Sequence, residues 1–585
     1  MNRQNKSSKI FLLYSLIGFG FIIFLSVMLL TVIKSRHLPS LYTKNSSKAQ
    51  RGSIISADGF HIATTKKLYK AMVNTHYIDP EKKELFTKLF SIYSGISTKK
   101  IDKKLEKKGV VILSYNITEK RAQYLKKLSY ELRRYKVFIE RKNPRTGRLS
   151  IHGLSIIESG ESREYPYGDL LTPVIGYPHK LEKDGYTYIE GVKGIEKRFD
   201  EALAPRQNEI RQGKRDVNGY ILLNKESFSK PTINGLDVKL TIPISLQIRM
   251  ELMLDSMKKT LRAKQVIIAI MDSTNGKVLS VASSNRYMPK KIKRKDYPSL
   301  NSAVTEYSFE PGSVIKTITF AILLDRGLVN PYDLVNGHNG RFKIGRKVIT
   351  DEHRFDWLSA ENVIVHSSNI GIAQLAQKLS GGEFYDGLKK FGFSTKSTPD
   401  LVYEKRGSIP NLSRLNNEIY KATCSYGYGM RANLMQLMRA YSTFNNNGRL
   451  VTPKIVSNFV DARGGIIDIE DEKQIQIIKS STAQRVKKIL IKTVNEGTGK
   501  KTRTKGLVVG GKTGTAHIVE KGQYVNRYNT AFLGLVNDSK HKYTMGVVVI
   551  EPLSSQFASK TAVPVFKNAI DILVEEGYLK PNIIK

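Results

Sequence analysis

Glu310-Pro311-Gly312-Ser313-Val314-Ile315-Lys316 is the stretch on which the reading of this chain turns. Pro and Gly break the chain just before an apolar run, Val314 to Leu324, which stops at Gly327 with Asn330-Pro331 beyond. That pattern predicts a buried helix whose first turn carries a serine and a lysine. Residues three apart share a helix face, so Ser313 Oγ and the Lys316 amine can meet. A serine is a poor nucleophile until a base takes its proton. A lysine held neutral by apolar surroundings and a neighbouring cation can be that base. Ser-x-x-Lys is weak by itself, since it recurs at Ser97/Lys100, Ser227/Lys230 and Ser539/Lys542, where solvated surface is the ordinary account.

Its company further along strengthens it. Ser367-Ser368-Asn369 follows, then Lys512-Thr513-Gly514-Thr515-Ala516, which holds the only Lys-Thr-Gly of the chain. In this order the three match the signatures of the serine penicillin-binding and β-lactamase group. The chemistry is coherent. Ser313 and Lys316 supply nucleophile and base, and Ser367 lies on a loop where its hydroxyl can relay a proton. The Asn369 amide can bind a substrate backbone. Lys512 and Thr513 offer a cation and a hydroxyl to a substrate carboxylate, and Lys512 favours a neutral Lys316. Gly514 leaves room for a peptide beside the strand. The backbone N–H groups of Ser313 and Thr515 are the expected oxyanion donors.

With 585 residues the chain has room for two or more domains, and its 40% hydrophobic content is that of a folded protein. The outlier is a net charge of +43. Nucleic acid, an anionic membrane surface and an anionic substrate all fit such a charge. The basic residues are spread throughout and no zinc-finger or RNA-recognition signature accompanies them, so no nucleic-acid partner is expected. Residues 10–33 are 24 residues without a charge, preceded by Arg3, Lys6 and Lys9. The run is too long for a signal-peptide core and lacks a cleavage site, which predicts an uncleaved transmembrane anchor with a cytoplasmic tail, 1–9. Lys34, Arg36, Lys44, Lys48 and Arg51 flank its far side and are expected to hold an anionic lipid-linked substrate or the bilayer. The single cysteine, Cys424, excludes an internal disulfide and is expected to be a buried bystander.

Beyond the anchor, residues 45–232 read as a mixed, non-catalytic domain with amphipathic helices over 78–136. Residues 236–585 read as a second domain. Val238 to Ile242 alternates like an edge strand, and a helix runs from Pro243 to Leu261. Asn275-Gly276 joins a hairpin. A helical middle follows, then a helix near 481–495 and antiparallel strands over 507–519, 530–536 and 543–550. Strands at both ends with helices between imply one sheet built from both ends of an α+β domain, which gathers residues 313, 367 and 512.

The sequence resembles the class B penicillin-binding proteins over nearly its whole length. Besides the three signatures, Arg51-Gly52, Asp58-Gly59, Arg163 to Pro166 and Gly194-Ile195-Glu196 carry the likeness; read from the residues alone, the first two lie in a short strand and turn, and the others are only loops and a helix start. The resemblance implies a pedestal domain, then a transpeptidase domain of antiparallel sheet and helical subdomain. It implies a serine D,D-transpeptidase that cross-links peptidoglycan stem peptides, is acylated by β-lactams, sits as a single-pass protein in the bacterial inner membrane with its catalytic domain in the periplasm, and needs no cofactor or metal. Ser367-Ser368-Asn369-Ile370-Gly371 and Ser425-Tyr426-Gly427-Tyr428-Gly429 resemble the septal type, although Val314-Ile315 and Thr530-Ala531-Phe532 depart from its usual residues. With no glycosyltransferase region in the sequence, a glycosyltransferase and other division proteins are expected partners. An elongation-type transpeptidase and a membrane-bound β-lactam sensor remain as alternatives. Gly506 to Thr513 also satisfies the phosphate-loop pattern, but basic residues 501–505 precede it where an apolar strand is required. Asp351-Glu352-His353 reads as an exposed polar turn, not a metal site.

Overall fold

The computed structural model describes residues 4–33, 42–142, 149–150, 152–183, 185–216 and 221–582, and the chain divides into two compact units. The smaller, Met1–Ala49 with Gln207–Ile233, holds helix α1 (Gln4–Ile33) and a three-stranded antiparallel sheet of Tyr42–Ser47, Glu209–Lys214 and Phe228–Lys230. From Ser7 to Ile33 the helix is apolar, and no protein covers it. Those 27 residues extend about 40 Å, enough for a hydrocarbon layer of about 30 Å. Of the flanking cations, Lys34 and Arg36 lie outside the described residues.

The larger unit is Gln50–Arg206 with Asn234–Lys585. Its N-terminal part is organised on strand His61–Asn74, which pairs with Ile54–Ile55, Val110–Thr118 and Ser155–Glu164. Helices α2 (Lys83–Ser94), α3 (Thr98–Leu105) and α4 (Glu119–Arg134) pack on these strands, burying Phe86, Phe90, Ile101, Leu125 and Leu132 against Val73 and Leu113. The apolar residues of each helix recur every three or four positions, so one stripe reaches the core while the lysines stay in water.

Strand Asp237–Leu240 is not an edge. It pairs parallel with Ile54–Ile55 on one side and antiparallel with Val456–Val460 on the other. Alternating Val238 and Leu240 report one buried face, which an interior strand of a half-covered sheet has as well as an edge strand. The nine-stranded sheet so formed crosses the expected boundary near 232–236 and takes Val456–Val460 and Ile466–Asp468 from the C-terminal half.

Three segments that individually read as a short strand and turn, a loop and a helix start converge here. Glu196 accepts from Arg51 Nη2 at 2.8 Å and from Arg163 Nε at 2.7 Å, and all three side chains are buried. Arg163 Nη1 also donates to Gly52 O at 2.6 Å. Burial pushes the Glu196 carboxyl up, but the two guanidiniums outweigh it and hold it below the usual carboxylate range. Arg51 therefore cannot serve a membrane surface as the sequence suggested, because it is locked in this network.

The C-terminal part is built on a five-stranded antiparallel sheet of β1 (Ala263–Asp272), β2 (Val278–Ser283), β3 (Val508–Glu520), β4 (Gln523–Asn537) and β5 (Lys542–Pro552), in the order β2-β1-β5-β4-β3. Both faces are covered. Val266, Ile268 and Ile270 join one core with α5 (Ile244–Leu261) and the C-terminal helix Ala562–Glu575. Ile267, Ala269 and Met271 join the other, where the helical layer sits. This two-sided burial explains why β1 reads as a continuous apolar run, each Ile or Val contributing about 1.5–3 kcal/mol. The helical layer contains α6 (Ile315–Asp325), α7 (Asn369–Ala376) and α8 (Leu434–Asn445); α9 (Ser480–Glu496) leads back to β3.

Candidate active site

Pro311 and Gly312 open a 3-10 turn, Gly312–Val314, that runs straight into α6. Gly312 has φ +59°, and a Cβ there would meet Thr515 O at 2.6 Å, so only glycine lets the turn lie this close to β3. The turn is clamped from three sides. Gly312 N donates to Gly427 O at 3.2 Å. Tyr441 OH of α8 donates to Val314 O at 2.6 Å. Glu310 Oε1 accepts from Gly429 N at 2.8 Å. The Ser425–Gly429 segment thus acts as backing for the turn, and Tyr441 is a support that its place in the sequence gives no reason to suspect.

Ser313 is half-buried and Lys316, one turn on, is fully buried. Lys316 Nζ donates to Ser367 O at 2.5 Å and to Ser367 Oγ at 3.2 Å, whereas a Ser313–Lys316 hydrogen bond is not seen among the described residues. Ser367 is held at φ +62°, a left-handed conformation that costs a serine about 1–3 kcal/mol. That conformation lies between helix Ala360–Val365 and α7, with the serine carbonyl and hydroxyl both on the lysine.

Asp351 holds the segment in place. Its Oδ2 accepts from Ser368 Oγ at 2.5 Å, and its Oδ1 from Asn369 N at 2.5 Å and Ile370 N at 3.1 Å. Ser368 caps α7 by accepting from Gly371 N at 2.8 Å, and Asn369 Nδ2 donates to Thr350 O at 3.0 Å. Asp351 is thus no simple surface turn, though its neighbours Glu352 and His353 are exposed. A carboxylate 16 residues upstream leaves no local pattern that would mark it.

Lys512 lies on β3, fully buried, its Nζ within 3.3 Å of Thr513 O. The Thr513 hydroxyl shares a hydrogen bond of 2.7 Å with Thr498, a residue of the α9–β3 connection that the sequence reading missed. Gly514 is explained differently from expectation. A Cβ there would meet Val314 Cγ1 at 2.9 Å and Pro311 O at 3.0 Å, so its role is to let β3 pack on the serine turn. Thr515 follows, partly exposed, and β3 is the last strand of its sheet, with β4 on one side only.

The electrostatics are unusual. Burial pushes Lys316 down to about 7, against the opposing pull of Asp351 and Glu352. Burial also pushes Lys512 well below its ordinary range, and the charge of Lys316 pushes it further. A buried amine that feels the charge of another holds its own proton less tightly. Desolvation, rather than Lys512, is therefore the main cause of the lowered Lys316. Cys424 is fully buried and its thiol is pushed up to about 12, so it is no nucleophile. The phosphate-loop match fails physically: Lys512 is inside a strand, with no helix opening at it.

Comparison with known proteins gives the family. The penicillin binding protein transpeptidase domain matches residues 266–571, and the penicillin-binding protein dimerisation domain matches 46–240. The chain belongs to the penicillin-binding protein transpeptidases. Among its relatives is the peptidoglycan D,D-transpeptidase FtsI of Buchnera aphidicola, 26% identical over 100% of this chain and 97% of that protein. Penicillin-binding protein PbpB of Mycolicibacterium smegmatis is 26% identical over 72% of this chain, which spans only 65% of PbpB. Penicillin-binding protein 2X from Streptococcus thermophilus has the same fold, with a TM-score of 0.73 at 21% identity over 92% of this chain and 82% of that one. These relatives place the chain with the class B penicillin-binding proteins.

Proposed function

We propose that this transpeptidase cross-links peptidoglycan stem peptides in septum synthesis, through an acyl-enzyme on Ser313. The observation that carries the mechanism is the fully buried Lys316, lowered to about 7, one helical turn from Ser313 and hydrogen-bonded to Ser367. Neutral Lys316 takes the proton of Ser313 Oγ as the oxygen attacks the carbonyl between the two terminal D-alanines. The N–H groups of Ser313 and Thr515 receive the developing oxyanion. Ser367 Oγ passes its proton to the departing D-alanine amine and takes in its place the one Lys316 received from Ser313, so that Lys316 is neutral again as the C–N bond breaks. An amine of a second stem then attacks the ester, its proton returns through Ser367 and Lys316, and Ser313 Oγ leaves. Lys512 and Thr513 hold the terminal carboxylate, beside Gly514 at the edge of β3, and Asn369 holds the peptide backbone. α1 anchors the chain as a single span with its catalytic part in the periplasm, beside a glycosyltransferase partner. The relative named FtsI supports the septal over the elongation role.

The test is incubation with a fluorescent penicillin and with a pentapeptide donor plus an amine acceptor. The native protein is expected to take covalent label and to yield cross-linked dimer and free D-alanine, all lost in Ser313→Ala. Label persisting in Ser313→Ala overturns the nucleophile. Label without any peptide turnover supports a sensor instead, and D-alanine release without dimer a hydrolase.

A further inference from the structure

The segment from Lys83 to Lys136 carries fifteen lysines and arginines against five acidic residues, +10 over 54 residues where the whole chain has +43 over 585. Its charge density is more than twice the average, so the positive charge is concentrated on the helices α2, α3 and α4. Within this basic region lies a groove of about 530 Å³ between α2 and α4. Leu85, Leu89 and Tyr93, four residues apart, form the α2 wall; Tyr124, Leu128 and Tyr135 form the other. Four of these large side chains are openly exposed: Leu85 46%, Tyr93 41%, Tyr124 45% and Tyr135 61%. Apolar side chains exposed singly need no explanation, but a continuous trough of them marks a contact surface. On the α4 side Lys127 lines the groove, and Lys120, two turns before it, shares its face of the helix; both are exposed. Glu131, the one carboxylate in the trough, is paired with Arg134 at 3.6 Å.

We propose that this groove docks an acidic amphipathic helix of a partner protein. The groove walls run along helices of 12 and 16 residues, about 18–24 Å, and present apolar groups one turn apart. That spacing receives the i, i+4, i+7 anchors of a helix laid along it. The lysine rim then selects glutamates and aspartates on the flanks of that helix and speeds its encounter. A second copy of this chain is disfavoured, because it would bring another +10 surface to the same place. A flat lipid leaflet would touch the rim but leave the concave floor empty. The proposal does not depend on the chemistry at Ser313.

Binding is measured by fluorescence anisotropy on the full chain in nanodiscs of zwitterionic lipid. Three labelled 18-residue peptides are compared: leucines on one face with glutamates on the other, the same with lysines, and the glutamate peptide with its leucines replaced by serine. The leucine–glutamate peptide is expected to bind at least about tenfold tighter than either control. Leu85→Ser/Tyr124→Ser should weaken it about tenfold, and Lys120→Glu/Lys127→Glu should transfer the preference to the lysine peptide. All four positions are exposed, so folding is retained, and a thermal melt verifies it. Equal binding of the acidic and basic peptides, or none, overturns the proposal. So does self-association lost in the leucine–tyrosine variant, or binding to anionic vesicles lost in the lysine variant, which would assign the face to a second copy or to a membrane.

Discussion

Two clusters of buried charge in this chain behave in opposite ways. In the N-terminal part, Arg51, Arg163 and Glu196 are buried together with opposite signs in contact; hydrogen bonds to Glu196 and Gly52 O and the ion pair of Arg51 with Asp200 hold the guanidiniums, with Arg163 Nη2 left without a hydrogen-bond partner among the described residues. In the C-terminal part, Lys316 and Lys512 are equally buried but carry the same sign, and their nearest oxygens are neutral ones on Ser367 and Thr513. The first arrangement keeps its charges by pairing them; the second must give up a proton. A paired cluster ties strands together, whereas an unpaired one holds a group away from its ordinary protonation state, which is what acid–base chemistry near neutral pH requires.

The largest effect should follow from breaking the lysine cluster. Lys316→Met removes the base while keeping the volume. Acylation by penicillin should slow by 10³–10⁴-fold, about 4–5 kcal/mol of transition-state stabilisation, while the urea midpoint stays level or rises. A fall in both would mean that Lys316 is chiefly structural. The pH dependence points the same way. Protonated Lys316 accepts no proton, so the acylation rate should rise through an apparent pKa of about 7 and vanish in acid. For stability, the folded value lies below the unfolded 10.5, so the unfolded chain binds the extra proton between about 7 and 10.5. Stability from this group therefore falls as pH falls across that window and is lowest below it.

Glu196→Ala should reverse the pattern. It leaves two guanidiniums without their shared carboxylate, which costs about 3–4 kcal/mol for a broken buried pair. Arg163 keeps Gly52 O, and Arg51 keeps Asp200 at 2.7 Å, which holds the loss toward the lower end. The urea midpoint should drop, yet the folded fraction should be acylated within about twofold of the native rate. An acylation rate that fell with stability would mean that the two clusters are coupled.

Much of this was legible beforehand because it is local. The apolar run after Gly312, the hairpin at Asn275-Gly276 and the strands around Lys512 are specified by neighbours in sequence, and the three signatures fix which turns must meet. What stayed hidden is long-range. Nothing near Asp237–Leu240 says that Val456–Val460 will cover its free edge. Nothing near Asp351 says that its carboxylate will hold α7, since the bond depends on how a loop returns. The left-handed Ser367 was hidden too, because its strain is stabilised by surroundings contributed from α6. The Arg51–Glu196–Arg163 network joins segments up to 145 residues apart, and only family likeness marked them beforehand.

The smallest expected effect concerns the edge of the lysine cluster, where a neutral pair borders the charged one. Thr498 and Thr513 share one hydrogen bond, and Thr513 is almost wholly buried, so its hydroxyl has few other directions to turn. If that bond orients the Thr513 hydroxyl toward a substrate carboxylate, Thr498→Val should cost about 0.5–1.5 kcal/mol, a threefold to tenfold rise in KM with kcat nearly unchanged. Thr498→Ser, which keeps the hydroxyl, should restore KM. A donor whose terminal carboxylate is replaced by an amide should bind native and Thr498→Val protein alike. If the amide donor suffers the same loss, Thr498 acts on the packing of β3 and not on carboxylate recognition, and the boundary of the functional cluster stops at Thr513.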